Sequence, residues 1–531
     1  MVQGVAHCGD RVLSGAFSPD TAPNRNGLAI SHWLYVLIAA ALQAVSAAWP
    51  WDAGFTQGQP LWWLQSVALA LFVWQLSRCT NLRKAAFTGL VFTSTWLCGT
   101  FWWLYGSMHT YGGLNAAIAG LAVLGLAMAL ALYYALACAV YWRLARHGSS
   151  ALVFAALWVM AEMARGTWLT GFGWGAIAYA HTHGPLAGFA PWVGAYGMVA
   201  IAAWVAAALV AALRGSQAHG IGLALVAGIG LLAPLAHWSV PAGSLSVTLL
   251  QGNIAQDEKF ELGSGVPVAL AWYGQQLAAN TSDLVVAPET AIALLPQDLP
   301  DGYWDQLRAR FQVGNQAALI GIPLGNYSQG YTNSVVGLRP GEEQVWRYDK
   351  HHLVPFGEFI PPLFKWFTQL MNIPLGDFNR GAVGQASMPW KGQRLAPNIC
   401  YEDLFGEELG VRFTDPATAP TIFVNASNIG WFGNTVAIDQ HLQISRLRAL
   451  EFERPMLRAT NTGATVVIDH TGAVTGSLPR HTRGVLVGAV QGRSGITPYA
   501  WWVARGGLWP IWLLAVAIVL VAARARSVSA Q

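Results

Sequence analysis

The apolar residues of this chain fall into two patterns. Over the first 240 positions they form long, nearly unbroken stretches at 28–48, 61–76, 86–105, 116–142, 151–163, 191–213 and 220–237, and an eighth lies near the end at 508–523. Most approach the roughly 20 apolar residues with which an α-helix crosses a hydrocarbon layer, the fifth being the shortest. Between 241 and 495 the pattern breaks into short β-rich runs at 245–250, 284–287, 318–322, 333–338, 395–400, 421–424, 456–460, 465–468 and 484–489, the lengths and composition of strands. The run 436–452 reads as a helix, with Ile438, Leu442, Ser445, Ala449 and Phe452 on one side. Strands followed by helices predict layered α/β packing here.

Charge separates the same two parts. Residues 28–240 hold nine charged side chains in 213 positions, whereas 241–495 hold 40 in 255. The division predicts a polar tail at 1–27, a membrane domain with seven transmembrane helices at 28–240, a globular domain at 241–495, and a final transmembrane helix with a tail at 496–531. About eight helices would then span the membrane. A first stretch that starts late and is followed by six more is not a signal peptide. Lys and Arg total 30 against 26 Asp and Glu, a net charge of +4, too balanced for a nucleic-acid surface. The 26 Trp and 21 Phe exclude a disordered chain.

Basic residues in the short connections set the orientation. Arg11 and Arg25 precede the first stretch; Arg78, Arg83 and Lys84 follow the second; Arg143 and Arg146 the fourth; Arg214 the sixth; Arg524 and Arg526 the eighth. Those connections are expected in the cytoplasm. Apart from Arg165 at the start of one, the alternate connections carry no Lys or Arg, so the globular part is expected outside. Glu162 and Arg165, three apart at the end of a membrane stretch, read as a structural ion pair, with a substrate headgroup contact as the other reading.

Cys400 is the one cysteine of the globular part, so it has no disulfide partner within its domain. A lone thiol facing an oxidising compartment is either buried and inert or kept for its reactivity. Three motifs put reactive groups at or just beyond strands: Ala287-Pro288-Glu289, Tyr348-Asp349-Lys350 with Leu353-Val354-Pro355-Phe356-Gly357-Glu358 after it, and Asn398-Ile399-Cys400-Tyr401-Glu402. Ligand chemistry in α/β sheets gathers at strand ends, where distant motifs can converge. A carboxylate beside a thiol can take its proton as attack begins, and an ammonium can stabilise the oxyanion on the substrate carbonyl. Glu289 thus reads as base, Cys400 as nucleophile and Lys350 as oxyanion stabiliser. Singly, each has an ordinary reading: a solvated turn Glu, a surface Lys paired with Asp349, a core Cys. Together, in these flanks, they point to chemistry.

On these motifs the chain resembles the nitrilase superfamily and, within it, the bacterial apolipoprotein N-acyltransferases, over nearly its whole length. Further matching pieces are Gln251-Gly252-Asn253-Ile254, Ser427-Asn428-Ile429-Gly430-Trp431-Phe432 and Thr170-Gly171-Phe172-Gly173-Trp174. The resemblance implies an outward-facing αββα sandwich beside the membrane helices, a Glu289-Lys350-Cys400 triad, Glu358 as a second carboxylate near the reacting centre, and Tyr401 and Glu402 shaping the site around the thiol. It further implies ping-pong transfer of a phospholipid acyl chain through a Cys400 thioester to the N-terminal amine of a diacylglyceryl-cysteine apolipoprotein, on the periplasmic side of a bacterial inner membrane. Substrate-contact candidates are Phe260, Trp366, Phe367 and Trp431. Where the best-known members have Trp and Pro, this chain has Phe260 and Ala255; Phe keeps an apolar face and loses the indole N–H.

The apolar, Pro-interrupted segment 359–367 reads either as a lid or arm at the membrane surface or as a segment buried under the domain. Two other functions use parts of the same sequence. A membrane-anchored amidohydrolase would let water resolve the thioester, and a transporter or scaffold would need the helices alone. No metal-ligand spacing and no phosphate loop occurs, so neither a metal nor a nucleotide cofactor is implied.

Overall fold

The computed structural model describes residues 25–145, 151–361 and 378–529. Each apolar stretch forms a helix: α1 (Arg25–Ser46), α2 (Trp62–Ser77), α3 (Leu82–Phe101), α4 (Ala116–Leu144), α5 (Ala151–Thr167), α6 (Ala190–Leu213) and α7 (Gln217–Leu232). Among the described residues five helices are long and apolar enough to cross a membrane, four of them built on α4 to α7 and the fifth at the C-terminus. α2 has 16 residues, all apolar or uncharged. The shortest predicted stretch, α5, is buried on nearly every side, its Glu162 and Arg165 included. It packs against α4 and α6. α6 is lined by Ala202, Ala203, Ala206 and Ala207, all buried, and such small side chains let neighbouring helices approach closely.

Beyond α7 the chain alternates strands and helices. β1 (Ser239–Gln251), α8 (Gly265–Ala279), β2 (Leu284–Val286), α9 (Tyr303–Gln312), β3 (Ala317–Asn326), β4 (Gly330–Leu338) and β5 (Trp346–Asp349) build the first half. β6 (Met388–Trp390), β7 (Gln393–Ile399), β8 (Ile422–Ser427), α10 (Ala437–Phe452), β9 (Met456–Thr460), β10 (Val466–Ile468), β11 (Val474–Ser477) and β12 (Gly484–Gly495) build the second. α11 (Pro498–Gly506) and α12 (Trp509–Ser529) close the chain. The strands form two six-stranded sheets, ordered β12-β1-β2-β3-β4-β5 and β11-β10-β9-β8-β7-β6. Val247, Leu249, Leu284 and Leu319 of the first meet Leu395, Ile422, Val424 and Leu457 of the second in one apolar layer. α8 and α9 cover the outer face of the first sheet, α10 and α11 that of the second. The result is the four-layered αββα sandwich.

Three short strands, β5, β6 and β11, lie outside the predicted runs. All sit at or next to sheet edges, where few neighbours demand β-branched residues. The run ending at 400 stops one residue early: Ile399 is the last residue of β7 and Cys400 lies beyond it. The predicted single apolar side of α10 also needs correction. Leu442, Ala449 and Phe452 face the second sheet, but Ala437, Ile438, Ile444 and Leu447 enter the apolar core of the membrane helices. α10 is therefore wedged between the two domains.

The C-terminal elements are keyed in the same way. At Gly194 in α6 the backbone turns to φ +64°, and a Cβ there would come within 2.2 Å of the Tyr499 ring of α11. Only glycine permits both the turn and the approach.

Candidate active site

In the second sheet β7, β8 and β9 run parallel, pairing Ile399 with Ala426 and Ser427 with Thr460. Their ends are thus level, and the residues just beyond them, Cys400, Asn428 and Asn461, emerge at one edge. In the first sheet β1, β2 and β3 are also parallel. The turn after β2 brings Glu289 to the edge, and the end of β5 brings Lys350. Strand ends of this kind are where α/β sheets bind ligands.

Cys400 opens a tight 3-10 turn (Cys400–Leu404) with φ +55°. Thr290, which follows Glu289, and Phe356, two residues before Glu358, also have positive φ, at 46° and 64°. Non-glycine residues in this region store strain that the surroundings must hold, a feature of functional sites. Asn425 Nδ2 restrains the turn by donating to the Cys400 carbonyl at 2.8 Å.

The carboxylates and the lysine form one hydrogen-bonded cluster. Lys350 Nζ donates to Glu358 Oε1 at 2.9 Å and stands 3.3 Å from Glu289 Oε1. Asn333 Nδ2, on β4, lies 2.7 Å from each of those two oxygens. The second oxygens accept from backbone: Asn428 N to Glu289 Oε2 and Val354 N to Glu358 Oε2, both at 2.8 Å. Lys350, Glu289 and Glu358 are all buried. Fixed on both oxygens, neither carboxylate can swing away.

Electrostatics follows from that packing. Burial alone would raise the Glu289 carboxyl, but Lys350 and Lys259, helped by Asn333 and Asn428, hold it below its ordinary value. Burial likewise disfavours the Lys350 ammonium, yet Glu289 and Glu358 keep it charged well beyond its usual range. Cys400 retains partial exposure. Even so, desolvation, with the Glu289 charge adding to it, pushes its thiol up to about 12, against the pull of Lys350. The resting site therefore holds a protonated thiol beside an ionised carboxylate. Such a pair makes a nucleophile only as the proton moves during attack.

Glu402 lies beneath this centre. It accepts from Tyr348 Oη at 2.9 Å and from three backbone amides, Ile399 at 2.7 Å, His351 at 2.7 Å and His352 at 3.1 Å. It thereby ties the Cys400 turn to the Lys350 loop. Tyr401 Oη donates to the Leu353 carbonyl at 2.7 Å, and Lys350 Nζ lies 5.7 Å from the centre of its ring. Deeper still, Asp403 pairs with His441 Nε2 at 2.9 Å and accepts from Ser445 Oγ at 2.5 Å, with Arg458 Nη1 at 3.4 Å. The turn that presents Cys400 is thus fastened to α10 and β9.

The other motifs of the sequence end nearby. Asn461 Nδ2 donates to the Ile254 carbonyl at 2.8 Å and to Asn428 Oδ1 at 3.1 Å, joining the Gln251–Ile254 segment to the Ser427–Phe432 segment. Phe260 is half-buried beside Lys259. Trp431 meets Tyr111 edge to face at 6.0 Å, and so lies toward the helical bundle rather than at the carboxylates. Trp366 and Phe367 lie outside the described residues. Glu162 and Arg165 form the structural pair: they are 3.4 Å apart and buried, and Arg165 Nη1 also donates to the carbonyls of Phe172 and Trp174, both at 2.7 Å. Arg165 therefore holds the Thr170–Trp174 loop.

Asn333, Asn428 and Lys259 were not singled out in the sequence. Asn333 and Lys259 have no local signal, being ordinary residues on a strand and in a turn. Asn428 lies inside a quoted motif, but its backbone N–H is what bonds Glu289. Among the described residues no group of three or more His, Cys, Asp or Glu side chains is arranged to hold a metal ion.

Two known protein families match parts of the chain. Residues 44–208 match the family described as the apolipoprotein N-acyltransferase N-terminal domain, and residues 246–499 match the carbon-nitrogen hydrolase family. The chain is 57% identical over 502 residues to an apolipoprotein N-acyltransferase of Verminephrobacter eiseniae, covering 89% of this chain and 93% of that one. It is 47% identical to the protein of that name from Ralstonia nicotianae, covering 88% and 89%. A crystal structure of a carbon-nitrogen hydrolase from Helicobacter pylori aligns with 51% of this chain and 94% of its own, at 15% identity and TM-score 0.35.

Proposed function

Because the chain belongs to the apolipoprotein N-acyltransferase family, we propose that its lipoprotein N-acylation runs in two half-reactions through a Cys400 thioester, with Glu289 as base and Lys350 at the oxyanion. The single observation that carries this reading is the cluster in which one lysine and one asparagine hold two buried carboxylates at the strand edge from which Cys400 emerges.

In the first half-reaction the Cys400 thiol gives its proton to Glu289 while sulfur attacks an ester carbonyl of a phospholipid. The negative charge that moves to the carbonyl oxygen is met by the Lys350 ammonium. Collapse of the intermediate expels the lysophospholipid hydroxyl, which takes the proton back from Glu289. In the second, the N-terminal amine of a diacylated lipoprotein attacks the thioester, Glu289 accepts a proton from it and passes that proton to the sulfur, and Cys400 leaves as the thiol as the amide forms. A thioester is more open to an amine than an oxygen ester is, so the difficult transfer is divided. Glu358 keeps Lys350 in line, and Glu402 and Tyr401 keep the two loops in register.

Both substrates are lipid-anchored, and the site is built against a helical bundle. We take all eight apolar helices to span a bacterial inner membrane, with the sandwich on the periplasmic side. Two contacts support a common end for the basic connections: Arg214 Nη2 donates to Ser77 Oγ at 2.5 Å, and Arg526 donates to the Arg143 carbonyl. α10 meets the opposite end, at Gly58, Thr100, Trp103, Trp174 and Thr182.

Product analysis tests the reading. Purified protein given phospholipid and a diacylated peptide should yield lysophospholipid and an N-acyl peptide in equal amounts. Free fatty acid in place of the amide would support a hydrolase instead.

A further inference from the structure

Lys259 lies in the turn between β1 and α8, and only 2% of its surface is exposed. Its Nζ donates to the backbone carbonyl of Glu289 at 2.9 Å. One neutral carbonyl does not compensate the removal of an ammonium from water, which is costly unless opposite charge is near. The acidic residues of its own turn, Asp257, Glu258 and Glu261, are exposed. The groups that favour its charge are those of the reaction centre, Glu289 and Cys400, and Lys350 and Glu358 stand next to Glu289.

The charge balance explains the placement. With both carboxylates ionised, Glu289, Glu358 and Lys350 together carry −1, and making an anionic sulfur beside them would be opposed by like charge. Lys259 brings the resting cluster to neutrality. We propose that Lys259 is a positioning residue of the reaction centre, which fixes the main chain at Glu289 and supplies the second positive charge that Cys400 needs as its sulfur attacks. The inference rests on the triad reading above. In the step it assists, the S–H bond breaks, the proton passes to Glu289, and the sulfur electron pair forms the new bond to the substrate carbonyl carbon. Lys259 gains and loses no proton. Because burial brings its ammonium down to about 8 against the pull of Glu289 and Cys400, this help should be present at neutral pH and fade as pH rises through 8.

The test is the rate of Cys400 alkylation by iodoacetamide, measured from pH 6 to 9 on full-length protein in detergent. The variants are Lys259→Met and Lys259→Gln, the second keeping a neutral donor for the Glu289 carbonyl. Both should react about tenfold more slowly than wild type at pH 7, the effect of roughly one unit in the thiol. The gap should narrow by pH 9, where wild-type Lys259 has lost its charge. A folded Lys259→Gln protein that matches wild type throughout, or that is slower by the same factor at every pH, would overturn the proposal. Failure of both variants to fold would overturn it too, since Lys259 would then hold the fold rather than tune the site. The triad reading stands or falls separately, on whether Cys400→Ala abolishes the acyl adduct and Lys350→Met slows its formation.

Discussion

Trp174, in the loop after α5, donates from Nε1 to Oε1 of Gln440 on α10 at 2.8 Å, across 266 residues of sequence. The same oxygen accepts from Trp103 Nε1 at 3.0 Å, and Gln440 Nε2 donates to the Thr100 carbonyl at 2.9 Å. One buried amide therefore joins the membrane helices to the helix that backs the Cys400 turn.

Replacing Gln440 by Leu should be costly for that reason. The Trp174 indole would lose its bond in a buried place, at about 1–3 kcal/mol for a group left unsatisfied, whereas the Thr100 carbonyl would keep the bond from Trp103 Nε1 at 3.1 Å. The melting temperature in detergent should fall by several degrees, and activity per folded molecule should fall less than stability does. A variant as stable as wild type would show that the two domains do not depend on this joint.

Asn333 should control the acid side of the pH profile. It bonds both carboxylates and helps hold Glu289 below its ordinary value, so Glu289 stays available as a base until the pH falls through that lowered value. Asn333→Ala removes a donor to the charged form, which raises the carboxyl. Acylation should then be lost at a higher pH than in wild type, with a tenfold or greater loss at neutral pH. An unshifted acid limb in the acylation rate would remove Asn333 from the electrostatic account.

Glu402→Gln should act through position. The amide has one acceptor oxygen where the carboxylate has two, so it cannot serve Tyr348, Ile399, His351 and His352 together. The Lys350 loop and the Cys400 turn should lose their register, giving a large fall in kcat with a small change in KM. A change confined to KM would mean that Glu402 touches substrate instead.

Much of this was legible because it is repetitive. Eight apolar stretches became eight helices, since a run of such residues leaves a helix few other ways to satisfy its backbone. The short runs at 318–322 and 456–460, buried along their whole length, became central strands. The edge strands Trp346–Asp349 and Val474–Ser477 were missed because half-exposed strands do not need an apolar signature. Glu289, Lys350 and Cys400 stood out by their flanks. Asn333 and Lys259 did not, because their partners, Glu289 and Glu358, are brought beside them only when β1 to β5 assemble into one sheet. The left-handed backbone of Cys400 is also not legible locally, since Asn425, on the neighbouring strand β8, holds the Cys400 carbonyl.

Topology is open to a direct check. A reporter fused after Val240 should be active on the outer side and one fused after Arg526 on the cytoplasmic side. The same side for both would mean that α12 does not span.

The most direct test of the acyl-transfer mechanism is the intact mass of the protein after exposure to phospholipid without acceptor. Wild type should gain one acyl chain on Cys400, sensitive to hydroxylamine, stable in water over the assay, and discharged on adding a diacylated peptide with a free amine. Cys400→Ser and Cys400→Ala should gain none, since a hydroxyl is far harder to ionise than a thiol and a methyl group is no nucleophile. An adduct on Cys400→Ala, or a wild-type adduct that the peptide cannot discharge, would contradict the mechanism.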